Sequence, residues 1–251
     1  MSFDGEGRRT TVPISAGASR SVAFLGCSFT QGYGVEDDEH FASIFASLNP
    51  EVRVLNYGTG GHSTLQSLIR ARQLVAAGAP PDVFVYGMIN DHLHRNIVDA
   101  QWFKSFVMRD GFLVPPQASV ADGKLIERAP HRISFWPGER HSAALTVLRT
   151  AFIDLTRRWD LEAARETTVA ILKELQSVTS RAGSKFVIVE LEDIDYHTNA
   201  LMHKAGLEVM DCRFSEWKNP EYRLRGVGHP NDAAHRIWGR CISDGLNSRP
   251  F

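Results

Sequence analysis

The chain lacks several features that would narrow its role at once. Cysteine is scarce: Cys27, Cys212 and Cys241 are the three in 251 residues. An odd number with no Cys-x-x-Cys spacing argues against a disulfide framework and against a zinc-ribbon site. No run of five like charges occurs and the formal net charge is -1, so no global field draws the chain to nucleic acid or to an anionic membrane. No apolar segment approaches the ~18 residues that span a bilayer. Met1 to Ser21 is polar, carries Arg8, Arg9 and Arg20, and has no apolar stretch of the secretory kind. Internal repeats and low-complexity tracts are absent as well. These absences lead to the expectation of a reduced, cytoplasmic protein that meets a small molecule in a pocket, with neither nucleic acid nor membrane as partner.

What is present is alternation. The length allows one large α/β domain with a substantial core. Residues 1–20, rich in Gly, Ser, Thr and Arg, read as a flexible N-terminal arm, and 21–251 as a single domain. Val22 to Leu25 is a short apolar run, hence a buried strand. Phe41, Ile44, Phe45 and Leu48 recur at helical spacing up to Asn49-Pro50. Val52 to Leu55 is a second strand, and Ser63 with Gln66 has capping-box spacing at the start of a helix that runs to Gly78. Asp82 to Tyr86 is a third strand. Such β-α-β-α-β order in under 70 residues predicts a parallel sheet covered by helices, with right-handed crossovers.

From Asp99 to His141 the pattern loosens, and Trp102, Phe103, Phe106, Phe112, Phe135 and Trp136 are interleaved with Gly, Pro and β-like pieces such as Gly111 to Val114. A connection this long reads either as a lid-like insertion or as one whose aromatics pack on the body. Leu145, Leu148, Phe152 and Leu155 then share one helical face, and a longer helix through Ile171, Leu172 and Leu175 ends near Gly183. Lys185 to Leu191 is a fourth strand, Tyr196 to Lys204 a helix, and Leu207 to Met210 a fifth strand. The last helix starts after Pro230, with Ala234, Ile237, Trp238, Cys241 and Ile242 inward.

Four loops carry the chemistry, three of them at the carboxyl ends of strands, where ligands bind in open α/β sheets. Gly26-Cys27-Ser28-Phe29-Thr30 puts a hydroxyl on a turn. Asn56-Tyr57-Gly58-Thr59-Gly60-Gly61-His62 can aim backbone N–H groups at a ligand; its spacing matches no nucleotide fingerprint. Gly87-Met88-Ile89-Asn90-Asp91 offers an amide, and Gly228-His229-Pro230-Asn231 a base.

In this order the loops resemble the SGNH (GDSL-type) hydrolases, through Gly26-Cys27-Ser28, Asn56-x-Gly58-x-x-Gly61, Asn90-Asp91 and His229-Pro230-Asn231 with His235. The resemblance spans residues 22–242. It implies a three-layer α/β/α, flavodoxin-like sheet of five parallel strands in order 2-1-3-4-5. By the same resemblance, Ser28 is the nucleophile, His229 the general base, and the N–H groups of Ser28 and Gly61 with the Asn90 side chain form the oxyanion hole. No cofactor is expected, and no metal, because His62, His92 and His94 lack a convincing further ligand. Cys27 departs from the family's Asp, and Met88 from its Gly two residues before the Asn. Val227 and Gly226 stand where an Asp normally orients the histidine, which leaves Asp211, Asp232 or a backbone carbonyl for that task. Pleating turns Cys27 and Ser28 to opposite faces, so one of them faces the crevice. The expected activity is hydrolysis of an O-acyl ester of a small molecule or carbohydrate; acyl transfer and a catalytically silent binding domain are the alternatives.

Overall fold

A computed structural model describes residues 1–15, 17–107 and 113–248. Strand β1 (Arg20–Leu25) leads into the short helix α1 (Ser28–Gln31) and then α2 (Phe41–Leu48). Next come β2 (Val52–Asn56), α3 (Thr64–Ala76), β3 (Val83–Met88), α4 (Asp91–Ile97) and α5 (Ala100–Val107). Four short strands follow: β4 (Leu113–Val114), β5 (Gln117–Ala121), β6 (Lys124–Arg128) and β7 (His131–Arg132). The chain closes with α6 (Ala143–Thr156), α7 (Leu161–Arg181), β8 (Lys185–Glu190), α8 (Tyr196–Lys204), β9 (Val209–Asp211) and α9 (Asp232–Asn247).

The main sheet is parallel throughout, in order β2-β1-β3-β8-β9. This is the expected 2-1-3-4-5 when only its own strands are counted. Strand alternation sorts the core into two layers. Val22, Phe24, Val83, Val85, Val187 and Val189 face α2 and α9, where Trp238 is fully buried. Ala23, Leu25, Phe84, Tyr86, Phe186 and Ile188 face the other way, onto α3 and α7. Both faces of the sheet are covered, so its strands are apolar runs with few breaks.

Between β3 and α6 two antiparallel ladders form, β4 with β7 and β5 with β6. Leu113 and Val114 are thus strand as expected, while Gly111 and Phe112 lie outside the described residues. A third, small cluster of Val98, Phe103, Val114 and Ile153 sits under this segment.

Two expectations are corrected, the argument against disulfides and the inward placing of Ile237, and two further features stand beside them. In the N-terminal arm the Arg9 guanidinium is buried, pairs with Asp37 and donates to Val35 O at 3.0 Å, while the Arg9 N–H donates to Asn56 O at 3.1 Å. Helix α6 faces the body with Arg149 and Ile153, so Leu148, Phe152 and Leu155 are 58%, 53% and 61% exposed. The reason is an ion pair, because Arg149 reaches buried Glu139 through two contacts at 2.8 and 3.0 Å and turns the helix accordingly. Finally, Cys212 and Cys241 form a disulfide, leaving Cys27 as a buried free thiol. Their separation of 29 residues joins the end of β9 to α9, a proximity created by the sheet order and invisible in spacing. On α9 Ile237 is also exposed, at 37%.

Candidate active site

Three strand ends converge because their loops pack on one threonine. Gly26 has φ +149, and a Cβ there would lie 2.2 Å from Thr30 Oγ1. At Gly58 a Cβ would lie 2.3 Å from the Gln31 backbone nitrogen. Only glycine allows such approach without moving backbone. Asn56, at the end of β2, joins the two loops: its Nδ2 donates to Thr30 O at 2.8 Å and its Oδ1 accepts Gly58 N–H at 2.9 Å. Thr59 N–H then donates to Gly26 O at 3.1 Å. Helix α1, which carries Ser28, is therefore clamped from below.

The fourth loop arrives from the far end of the chain. Leu224 N–H donates to His229 O at 2.8 Å, and the Arg223 guanidinium donates to Gly228 O at 3.0 and 3.2 Å. Asn231 Oδ1 caps α9 by accepting from Ala233 and Ala234 N–H, which sets the chain direction just after His229. The His229 ring lies against Phe29 and Tyr33, at centroid distances of 5.8 and 4.9 Å.

Ser28 and His229, 201 residues apart, meet: the distance from Oγ to Nε2 is 2.9 Å. On the other side of the ring Nδ1 lies 3.1 Å from Val227 O. A carbonyl oxygen can only accept, so Nδ1 carries the hydrogen and Nε2 is left to accept the serine proton. Of the three groups considered for orienting this ring, the backbone carbonyl is the one in place. Asp211 is occupied by Arg213, at 2.6 and 2.8 Å, and Asp232 by Arg236, at 2.6 Å.

A cavity of about 280 Å³ opens beside this pair. Its wall includes Asp91, Arg95, Glu192, Trp217 and Arg223. Asn90 and Gly61 are not among the lining side chains. One N–H of the Asn90 amide goes to Asp193 O at 2.5 Å, and its backbone N–H to Glu192 Oε1 at 2.6 Å. Gly61 has φ +76 and faces Trp102, whose ring would be 3.7 Å from a Cβ.

Neither Arg95 nor Glu192 was legible as a site residue. Arg95 is 7% exposed; it donates to His62 O at 3.2 Å and to Asp91 at 2.9 Å, lies over the Trp102 ring, and leaves its buried Nε without a partner. It thereby ties the Gly58–His62 loop to α4. The i, i+4 spacing of Asp91 and Arg95 was the one available signal. Burial raises the Glu192 carboxyl above the ordinary carboxylate range, partly offset by the Asn90 N–H it accepts.

The fold has known counterparts. The esterase EstA from Pseudoalteromonas sp. is 10% identical, with 92% of this chain and 98% of that one covered at a TM-score of 0.53. A protein described as lipolytic and of the G-D-S-L family, from Desulfitobacterium hafniense DCB-2, is 10% identical over 90% and 99% of the two chains, TM-score 0.51. LAE5, an alpha/beta hydrolase enzyme from the metagenome of Lake Arreo, is 13% identical over 93% and 98%, TM-score 0.50. The chain has the GDSL-type hydrolase fold. No family model matches it.

Within this GDSL-type fold the remaining candidates have ordinary tasks. Cys27 is fully buried, and burial pushes its thiol up, away from thiolate. His92 is buried with Nδ1 2.6 Å from the Tyr86 hydroxyl, while His94 stacks on Trp159 and lies 2.7 Å from Asp99. Burial pushes His62 down to about 4. Among the described residues no group of three or more His, Cys, Asp or Glu could hold a metal ion, and no helix is long and apolar enough to cross a membrane.

Proposed function

We propose that this chain is a serine esterase of the SGNH type, cleaving an O-acyl ester of a small molecule or carbohydrate through an acyl-serine intermediate. The observation that carries the reading is the Ser28 Oγ to His229 Nε2 contact of 2.9 Å with Nδ1 held on Val227 O. A serine hydroxyl is a weak nucleophile at neutral pH until an adjacent base takes its proton.

In this reading Nε2 of His229 accepts the Ser28 proton as Oγ attacks the ester carbonyl. The charge that develops on the carbonyl oxygen is met by Ser28 N–H, Gly61 N–H and the Asn90 side chain. Collapse breaks the bond to the alcohol, which leaves with the proton from the imidazolium. Water then attacks the acyl-serine by the same route and regenerates Ser28. A dyad oriented by a backbone carbonyl has no carboxylate to stabilise the imidazolium, so catalysis leans more on the oxyanion donors. Residues 21–251 act as one domain, with 99–141 an insertion beside the site.

Incubation with p-nitrophenyl acetate and a fluorophosphonate probe tests this. Turnover and labelling that both vanish in Ser28→Ala are expected; a wild-type chain that neither turns over nor labels sinks the proposal. The expected cytoplasmic setting and the Cys212–Cys241 bond pull apart, since disulfides persist in oxidising compartments. Thiol titration of the denatured, unreduced protein separates the two, with one reactive thiol or three.

A further inference from the structure

A second and larger cavity, of about 610 Å³, lies under the 99–141 segment, between α5, β5, α6 and the start of α7. That is the size range of sites for small organic ligands. It shares no lining residue with the cavity beside Ser28.

Its walls combine aromatic surface with unmatched positive charge. Trp136 and Phe152 meet edge to face at 5.6 Å and are 36% and 53% exposed, an unusual exposure for two large aromatics. Phe103 lies deeper, with the Arg157 guanidinium 3.9 Å above its ring.

The lining arginines are Arg128, Arg149, Arg157 and Arg158; the carboxylates are Asp99, Asp160 and Glu166. Arg149 is matched by Glu139. Asp99 is engaged by His94 and by Trp102 N–H, and Asp160 caps α7 through Ala163 N–H. Glu166 is exposed, on the α7 side. Among the described residues no carboxylate stands within 4.0 Å of Arg128, Arg157 or Arg158. Arg157 instead donates through one nitrogen to Val98 O at 3.1 Å and Gln117 Oε1 at 3.2 Å. Burial, with the Arg128 charge beside it, pushes Arg157 below the usual guanidinium value. The two guanidiniums line one cavity of mixed aromatic and polar wall, and an anion held between them would offset their mutual repulsion. Their planar forks suit a carboxylate, sulfonate or phosphate.

We propose that this cavity binds a small organic anion with a flat apolar body, its charge on Arg128, Arg157 and Arg158 and its body against Phe103, Trp136 and Phe152. The site is independent of the esterase reading and stands or falls apart from it.

Isothermal titration of the full chain with naphthalene-1-sulfonate tests it, with neutral 1-naphthalenemethanol as the comparison. One saturable site is expected, tighter for the sulfonate than for the alcohol by at least roughly tenfold. Arg157→Gln removes a contact to Val98 O, so Arg128→Gln, at an exposed position, is the second variant; each weakens sulfonate binding about tenfold or more. Ser28→Ala leaves that binding unchanged. No saturation by about 1 mM, equal affinity for the neutral alcohol, unchanged affinity in Arg128→Gln, or loss of binding in Ser28→Ala each overturns the proposal.

Discussion

The two cavities are built on opposite plans. Beside Ser28, the polar groups of the dyad and its loops are tied down: Thr30 under two glycines, Asn56 across two loops, His229 between a hydroxyl and a carbonyl. Under the 99–141 segment, Trp136 and Phe152 are partly exposed, and among the described residues Arg128, Arg157 and Arg158 have no carboxylate partner, while Arg149 is paired with Glu139. The first cavity sits on a sheet covered on both faces, so its geometry is over-determined. The second rests on a small cluster around Val98, Phe103, Val114 and Ile153. The difference teaches that a cavity whose loops are tied to the sheet and a cavity built largely outside it can share one chain.

Substitutions at the sheet rim should therefore cost most. His229→Ala is expected to lower kcat on p-nitrophenyl acetate by roughly 10,000-fold or more, with the circular dichroism spectrum unchanged. Asn90→Ala should lower kcat by about 100- to 1,000-fold if its side-chain amide meets the oxyanion; a change of a few fold at most would leave the residue only its contacts with Glu192 and Asp193. Cutting the tie between β9 and α9 with Cys212→Ser should lower unfolding free energy by about 3 kcal/mol, given the loop it closes, measured as a fall in the urea midpoint.

Acid should act through the histidines buried next to the rim. Burial pushes His40 down to about 4 and His235 down to about 3, whereas in the unfolded chain both take a proton near ~6.5. Unfolding then takes up protons below that value. Stability is complete above about pH 6.5 and falls by up to about 1.4 kcal/mol per pH unit per histidine toward pH 4. Urea midpoints at pH 7.5 and 5.5 check it, and equal midpoints would refute it. The smallest effect is expected on the exposed face of α6. Leu155→Ser should change stability by no more than about 0.5 kcal/mol, and a larger loss of melting temperature would show that this face is covered in solution.

Much of this was legible before any coordinates. The runs Val22 to Leu25, Val52 to Leu55 and Lys185 to Leu191 became strands of one parallel sheet because short, largely apolar stretches bounded by turn residues suit the covered layer of an α/β fold. The order of the four loops also named Ser28 and His229, which the structure brings together. Periodicity found the helix that carries Leu148, Phe152 and Leu155 but not which face it turns to the body, where Arg149 and Ile153 are the buried residues. For Arg95 the i, i+4 pairing with Asp91 was the one signal, and Glu192 and Trp217 gave none, since a side chain that enters a cavity from another element has no spacing rule linking it to the serine.

Local sequence alone determined the elements, their order along the chain and the residue types at the strand ends, because those follow from burial and backbone preferences over a few residues. Which groups touch was decided by the tertiary structure. The contact between Ser28 and His229, the bond between Cys212 and Cys241, and the shared cavity of Arg128 and Arg157 all join residues whose proximity exists only once the sheet has been ordered and its helices packed.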